Sequence, residues 1–169
     1  MKSKRYCYDY PRPALTADAL ILTVRQSKVQ LLLIQRKHPP YARRWALPGG
    51  FVNEGETLLQ AAERELQEET GVQGIDMLPF GCYGDPGRDP RGWTVTCAFL
   101  AVVPSETIPN VQANDDASQA RWHPVNKLPP MAFDHVKIIA EGLRYVNDHK
   151  DSLSFLKPRE RRIVLAACK

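Results

Sequence analysis

Seven carboxylates fall within one short stretch of this chain. Between Gly50 and Asp76 lie Glu54, Glu56, Glu63, Glu65, Glu68, Glu69 and Asp76, against a single base, Arg64. That is a balance of −6 inside a chain of net charge +4, so the remainder carries +10. Concentrated acid in a basic chain suits a bound cation, with an anionic ligand held by the basic surroundings; a solvated acidic helix face is the plainer reading of charge alone. Spacing separates the two. Thr57-x-x-Gln60 has capping-box spacing and Gly71 stands where a helix takes a positive φ to end, so 57–70 reads as a helix. With Glu65 at 0°, Glu69 falls at about 40° and Glu68 at about 300°, three acids on an arc roughly 100° wide. Ala62, Leu66 and Leu59 fall at about 60°, 100° and 120°, a buried stripe beside them. Glu65 and Glu69 form a repelling i,i+4 pair, and Arg64 is one charge against three. A divalent cation removes that conflict, and oxygen donors select hard ions such as Mg²⁺ or Mn²⁺.

The elements around this helix must place it. The 169 residues, 43% hydrophobic and 25% charged, suit one domain with a real core. Disorder, a disulfide scaffold and a membrane span are disfavoured, and no apolar signal segment follows the basic N-terminus. Cys7, Cys82, Cys97 and Cys168 form no C-x-x-C pair, which points to a reducing cytoplasm. Residues 15–24 and 29–35 read as a hairpin, 45–52 as a short strand interrupted at Pro48-Gly49-Gly50, and 74–83 and 93–103 as further strands. Residues 84–92 and 111–118 read as loops, and 131–149 as a second helix. This is a mixed α/β or α+β single domain. It divides into a main body, 1–150, and a short basic segment, 151–169, that reads as solvated.

Gly50, five residues, Glu56, seven residues, then Arg64-Glu65-Leu66-Gln67-Glu68-Glu69-Thr70-Gly71-Val72 resembles the Nudix box at every defined position. With seven fixed letters at roughly 5–7% each, a chance match at any one start is about one in 10⁸ or rarer. The resemblance implies a single-domain Nudix fold, a mixed β-sheet sandwiched between helices, and hydrolysis of a nucleoside diphosphate linked to another group. It further implies Glu65, Glu68 and Glu69 as metal ligands, joined by the backbone carbonyl of Gly49. Gly50, Glu56, Arg64 and Gly71 become structural members of the box. Trp45–Val52 looks like the family's approach strand, and Ala120–Val125 with Leu128-Pro129 like its late strand. Attack of water on a pyrophosphate needs charge neutralisation and alignment, with one carboxylate free as base. Glu68, with Glu65 beside it, is the first candidate. Asp115 or Asp116 is the alternative on a loop, where an Asn-Asp-Asp turn is an equal reading.

The box does not choose the substrate. Pro86 and Pro90, in the loop that follows it, resemble a proline feature of ADP-ribose pyrophosphatases, and Ala132-Phe133-Asp134-His135 is similar to a subgroup holding those enzymes and related NAD-metabolism regulators. Arg88 and Arg91 would hold phosphate or ribose oxygens, Phe133 would stack on adenine, and Arg44 is a lesser phosphate candidate. The alternatives are solvated loop arginines and a core phenylalanine. The expected activity is cleavage of ADP-ribose to AMP and ribose 5-phosphate. A hydrolase of oxidised nucleoside triphosphates and a non-catalytic ADP-ribose sensor are the competing readings; the 20 or so residues after the second helix are too few for a winged helix. A nucleotide or nucleotide-sugar substrate is therefore expected, with no membrane partner, nucleic acid disfavoured, and a homodimer suggested by the resemblance.

Overall fold

The computed structural model describes residues 7–107, 110–113 and 117–168. β1 (Ala14–Arg25) and β2 (Lys28–Arg36) form the expected hairpin. Its turn residues Gln26 and Ser27 take φ of 51° and 58°, the backbone that matches the twist of a two-residue hairpin. The two strands pair only from Leu22↔Leu31 to Arg25↔Lys28, then part. β3 (Trp45–Ala46) pairs with the half of β2 away from the turn, and β4 (Gly49–Phe51) with the half of β1 away from the turn, through Asp18↔Gly49. Residues 45–51 thus fill a wedge between the splayed strands, and that wedge becomes the site.

β5 (Leu78–Tyr83) and β6 (Thr94–Val103) extend the sheet on one side, β6 parallel to β1 and β5 antiparallel to β6. β7 (Ala117–Pro124) runs antiparallel along the other edge of β2. One parallel pairing among antiparallel ones makes a mixed sheet. Side chains alternate along β1 as a pleat requires. Ala17, Ala19 and Ile21 pack with Ala61, Ala62 and Leu66 of α1 (Leu58–Thr70). Leu20, Leu22 and Val24 join Ile138, Ile139 and Val164 of α2 (His135–Asp148) and α3 (Pro158–Ala167). Helices cover both faces, which is why β1 is a near-continuous apolar run. Among the described residues no helix is long and apolar enough to cross a membrane.

Several expectations change. The second helix begins at His135, not at 131, because Trp45 donates to the Pro130 carbonyl and accepts from the Ala132 N–H, a strand-like bridge across Met131, and Phe133 turns the chain at φ 50°. The strand expected from residue 74 begins at Leu78, after Gly74 takes φ 70°. The loop expected over 111–118 ends where β7 begins at Ala117. Residues 151–168 do not form a solvated tail in the structure. A 3₁₀ turn at Lys150–Leu153 leads into α3, which opens on Pro158 at its first turn, where the missing N–H costs nothing. Leu153, Leu156, Val164 and Cys168 are buried in the same core as α2, beneath the exposed Arg159 and Arg162. Leu156→Ala should therefore cost about 2–5 kcal/mol in urea unfolding; an unchanged midpoint would restore the solvated tail.

Candidate active site

The acids hang on a helix that the sequence caps at both ends. The Thr57 hydroxyl accepts from the Gln60 N–H at 3.2 Å while the Gln60 side chain accepts from the Thr57 N–H at 2.8 Å. Gly71 closes the other end at φ 72°, donating its N–H to the Gln67 carbonyl. The buried residues of α1 are Ala61, Ala62, Leu66, Glu69 and Thr70. Leu59, expected in the buried stripe, is instead 37% exposed. The core face is centred closer to the acids than hydropathy suggests, so Glu69 lies within it and Glu65 at its margin.

The three glutamates are consequently not equivalent. Glu69 is 7% exposed, and its Oε2 accepts the Gly49 N–H at 2.9 Å. Burial pushes its carboxyl up to about 8 against that hydrogen bond, and the charges of Glu65 and Asp18 push the same way. Glu65 is raised by partial burial, opposed by Arg64. The Glu68 side chain is 44% exposed. Arg64 is the shared counter-charge: its Nη1 donates to Glu65 at 2.7 Å and Glu68 at 3.0 Å. The same guanidinium grips Glu56 with Nε and Nη2, at 3.0 and 2.8 Å, and reaches the Phe51 carbonyl. Glu56 is held at about 2 by Arg64, with the Asn53 N–H helping. Arg64 and Glu56 thereby tie the loop before α1 to the helix and to β4.

Does this set suit a divalent cation? A Cβ on Gly50 would overlap the Glu65 carboxylate, and one on Gly49 would meet Asp18. Glycines at both positions let backbone and carboxylates approach closely. The donors are all oxygen, and Glu65 and Asp18 both repel the buried Glu69. Among the described residues no three His, Cys, Asp or Glu side chains already converge as a metal cluster, since Arg64 holds two of these glutamates and Gly49 the third. The chemistry of the donors nonetheless fits a hard cation.

Across Gly49 from the glutamates a cleft opens in the wedge, lined by Asp18, Arg36, Arg88, Arg91, Phe133 and His135 among others. Arg91 and Arg88 are both there, but neither is a free cation. Arg88 is 5% exposed in its side chain and grips Asp134 with two bonds of 2.7 and 3.0 Å. Arg91 is paired with the buried Asp89, and its guanidinium lies 4.7 Å from the Phe51 ring and 5.3 Å from Phe133. Phe133 also meets Arg36 at 5.0 Å and the Tyr41 edge at 5.0 Å. Arg44 is exposed, outside the lining, and donates to the Met131 carbonyl. Asp115 and Asp116 lie outside the described residues.

Asp18, Arg36 and Asp89 were given no role from the sequence, and neither was His135, although it closes the Ala132–His135 stretch. Asp18 had a signal, a lone acid inside an apolar strand. A larger apolar hollow of about 480 Å³ lies between Gln73–Asp76 and the end of α2, and none of Glu65, Glu68 and Glu69 lines it.

The NUDIX domain model matches residues 14–142. An ADP-ribose pyrophosphatase of Methanocaldococcus jannaschii is 41% identical over 139 residues, covering 82% of this chain and 78% of that protein. The ADPR responsive transcriptional repressor NtrR of Acinetobacter baylyi is 34% identical over 143 residues; they cover 83% of this chain but only 57% of the repressor. The NUDIX domain of Shewanella oneidensis NrtR, solved with ADP ribose, superposes with a TM-score of 0.75 at 32% identity, over 82% of this chain and 94% of that domain.

Proposed function

Because the chain belongs to the Nudix family, we propose that it hydrolyses ADP-ribose to AMP and ribose 5-phosphate, with Mg²⁺ or Mn²⁺ held by Glu65, Glu68, Glu69 and the Gly49 carbonyl. One observation carries the reading: Gly49 joins an under-neutralised carboxylate array to a cleft with a cation-flanked aromatic ring at its wall. The 41% identity to an ADP-ribose pyrophosphatase supports the choice of substrate.

A cation bound by these carboxylates would supply positive charge at the diphosphate and would lower the pKa of the attacking water. The protein's residues do the rest. Glu68, the most exposed of the three, takes the proton from water. Glu69 and Glu65 hold the cation end. Arg91 and Arg36 bring positive charge toward the diphosphate, and Phe133 stacks on the adenine. Arg88 acts as a strut for the loop, not as a direct phosphate contact. A homodimer in a reducing cytoplasm completes the reading.

Phe133→Leu should raise KM for ADP-ribose roughly tenfold, since loss of a base stack costs about 1–3 kcal/mol, with kcat little changed. An unaltered KM would remove Phe133 from the adenine subsite. The likeness to the NtrR repressor favours a second reading, a sensor that binds ADP-ribose without cleaving it. Tight calorimetric binding with no AMP formed in Mg²⁺ or Mn²⁺ would decide for it.

A further inference from the structure

Leu47-Pro48-Gly49 is fixed at three successive residues. The Leu47 N–H donates to Nδ1 of His135 at 2.9 Å, the Pro48 carbonyl accepts from Ala19 at 2.8 Å, and the Gly49 N–H donates to Glu69. His135 is the distant partner, 88 residues along the chain and buried at the head of α2. Accepting at Nδ1 leaves its ring proton on Nε2, which lies 3.9 Å from Oδ1 of the buried Asp18. The Thr96 hydroxyl holds the other Asp18 oxygen at 2.5 Å, and Asp18 faces Gly49 across the β1–β4 pairing.

The neighbouring residue reaches the opposite way. Asp134 occupies the N-cap position of α2 yet makes no side-chain cap bond. Both its oxygens go to Arg88, and Lys137 one turn on pairs with Asp85 of the same loop. An Asp that forgoes its helix cap to hold a loop, beside a buried neutral His that holds the opposite strand, makes one corner responsible for both ends of the site.

We propose that Asp134 and His135 are positioning residues that divide the site between them. His135 sets the Leu47–Gly49 segment at the cation end, and Asp134, through Arg88, sets the 84–92 loop at the substrate end. This rests on the ADP-ribose hydrolase reading above.

The test compares His135→Phe, His135→Asn and Asp134→Asn. It measures Mn²⁺ affinity of substrate-free protein by electron paramagnetic resonance, kcat and KM on ADP-ribose, and the melting midpoint. His135→Phe should weaken Mn²⁺ binding roughly ten- to hundredfold and lower kcat, with KM little moved. His135→Asn, whose oxygen falls near the Nδ1 position, should recover most of both. Asp134→Asn should leave Mn²⁺ affinity unchanged and raise KM roughly tenfold. Should His135→Phe fail to fold, His135→Gln takes its place, since its oxygen falls near Nε2 and should not rescue. Equal Mn²⁺ affinity in wild type, Phe and Asn variants overturns the role of His135. An unchanged KM in Asp134→Asn overturns that of Asp134. If wild type cleaves no ADP-ribose, the hydrolase reading fails separately: Mn²⁺ titration still decides His135, and calorimetric ADP-ribose affinity decides Asp134.

Discussion

Glu68→Gln should lower kcat for ADP-ribose at saturating Mg²⁺ by a factor on the order of 10²–10⁴, while the melting midpoint stays where it is. Of the three glutamates on the helix face, Glu68 is the one that water reaches most freely, and among the described residues its hydrogen-bond partner is Arg64. Arg64 keeps its other carboxylates when that bond is lost, so little folding energy goes with it. A proton acceptor that is exposed and weakly held is dispensable to the fold and costly to the reaction. Measuring kcat and the thermal midpoint of the same preparation separates the two. A variant that turns over normally would move the base elsewhere, with Asp115 and Asp116 the first alternatives.

The second large effect runs opposite to intuition. In the absence of divalent cation, Glu69→Gln should be more stable than wild type at pH 8.5 by a few kcal/mol, on the scale of about 1.4 kcal/mol per pKa unit. The folded carboxyl titrates at about 8 against an ordinary value of 4.5, because it is buried. Between those values the folded state keeps a proton that the unfolded state has released, so wild-type stability falls as pH rises across that window. Gln cannot ionise, and its side-chain oxygen still accepts the Gly49 N–H. The advantage of the variant should be near zero at pH 4, grow to about pH 8 and then level off. Adding Mn²⁺ should raise wild type more than the variant, since only wild type offers the buried charge to a cation. Urea unfolding at pH 5 and 8.5, with chelator and then with Mn²⁺, checks both parts. A wild type that exceeds the variant at pH 8.5 without metal would show that Glu69 is already neutralised by the protein.

The parts of this molecule that were legible in the sequence are those whose causes are local. Thr57, Gln60 and Gly71 delimit α1 within one or two turns of themselves, and the register of Glu65, Glu68 and Glu69 follows from 3.6-residue geometry. The β1–β2 hairpin was legible for the same reason, through apolar runs and a polar turn, whereas the mixed sheet was implied only by the resemblance to the Nudix box. What was missed depends on residues far apart in the chain. His135 has no ligand spacing, and its meaning appears only when Leu47, 88 residues away, donates to it. Arg88 was identified as a ligand group from its loop, yet Asp134, 46 residues on, claims its guanidinium. Leu59 was placed in the core because it is apolar, whereas the sheet selects the face that holds Ala61 and Ala62. In 151–169 the run of bases drew attention, and the spacing of Leu153, Leu156 and Val164 that seats α3 on the core went unread.

The most direct test of the whole account is one hydrolysis screen, with Mg²⁺ and with Mn²⁺, over ADP-ribose, ADP-glucose, NADH, a diadenosine polyphosphate and 8-oxo-dGTP, products identified by mass. The account predicts AMP and ribose 5-phosphate from ADP-ribose, at a kcat/KM well above the other four and lost on chelation. Turnover of 8-oxo-dGTP alone would keep the carboxylate chemistry and contradict the assignment of the cleft around Phe133 and Arg91.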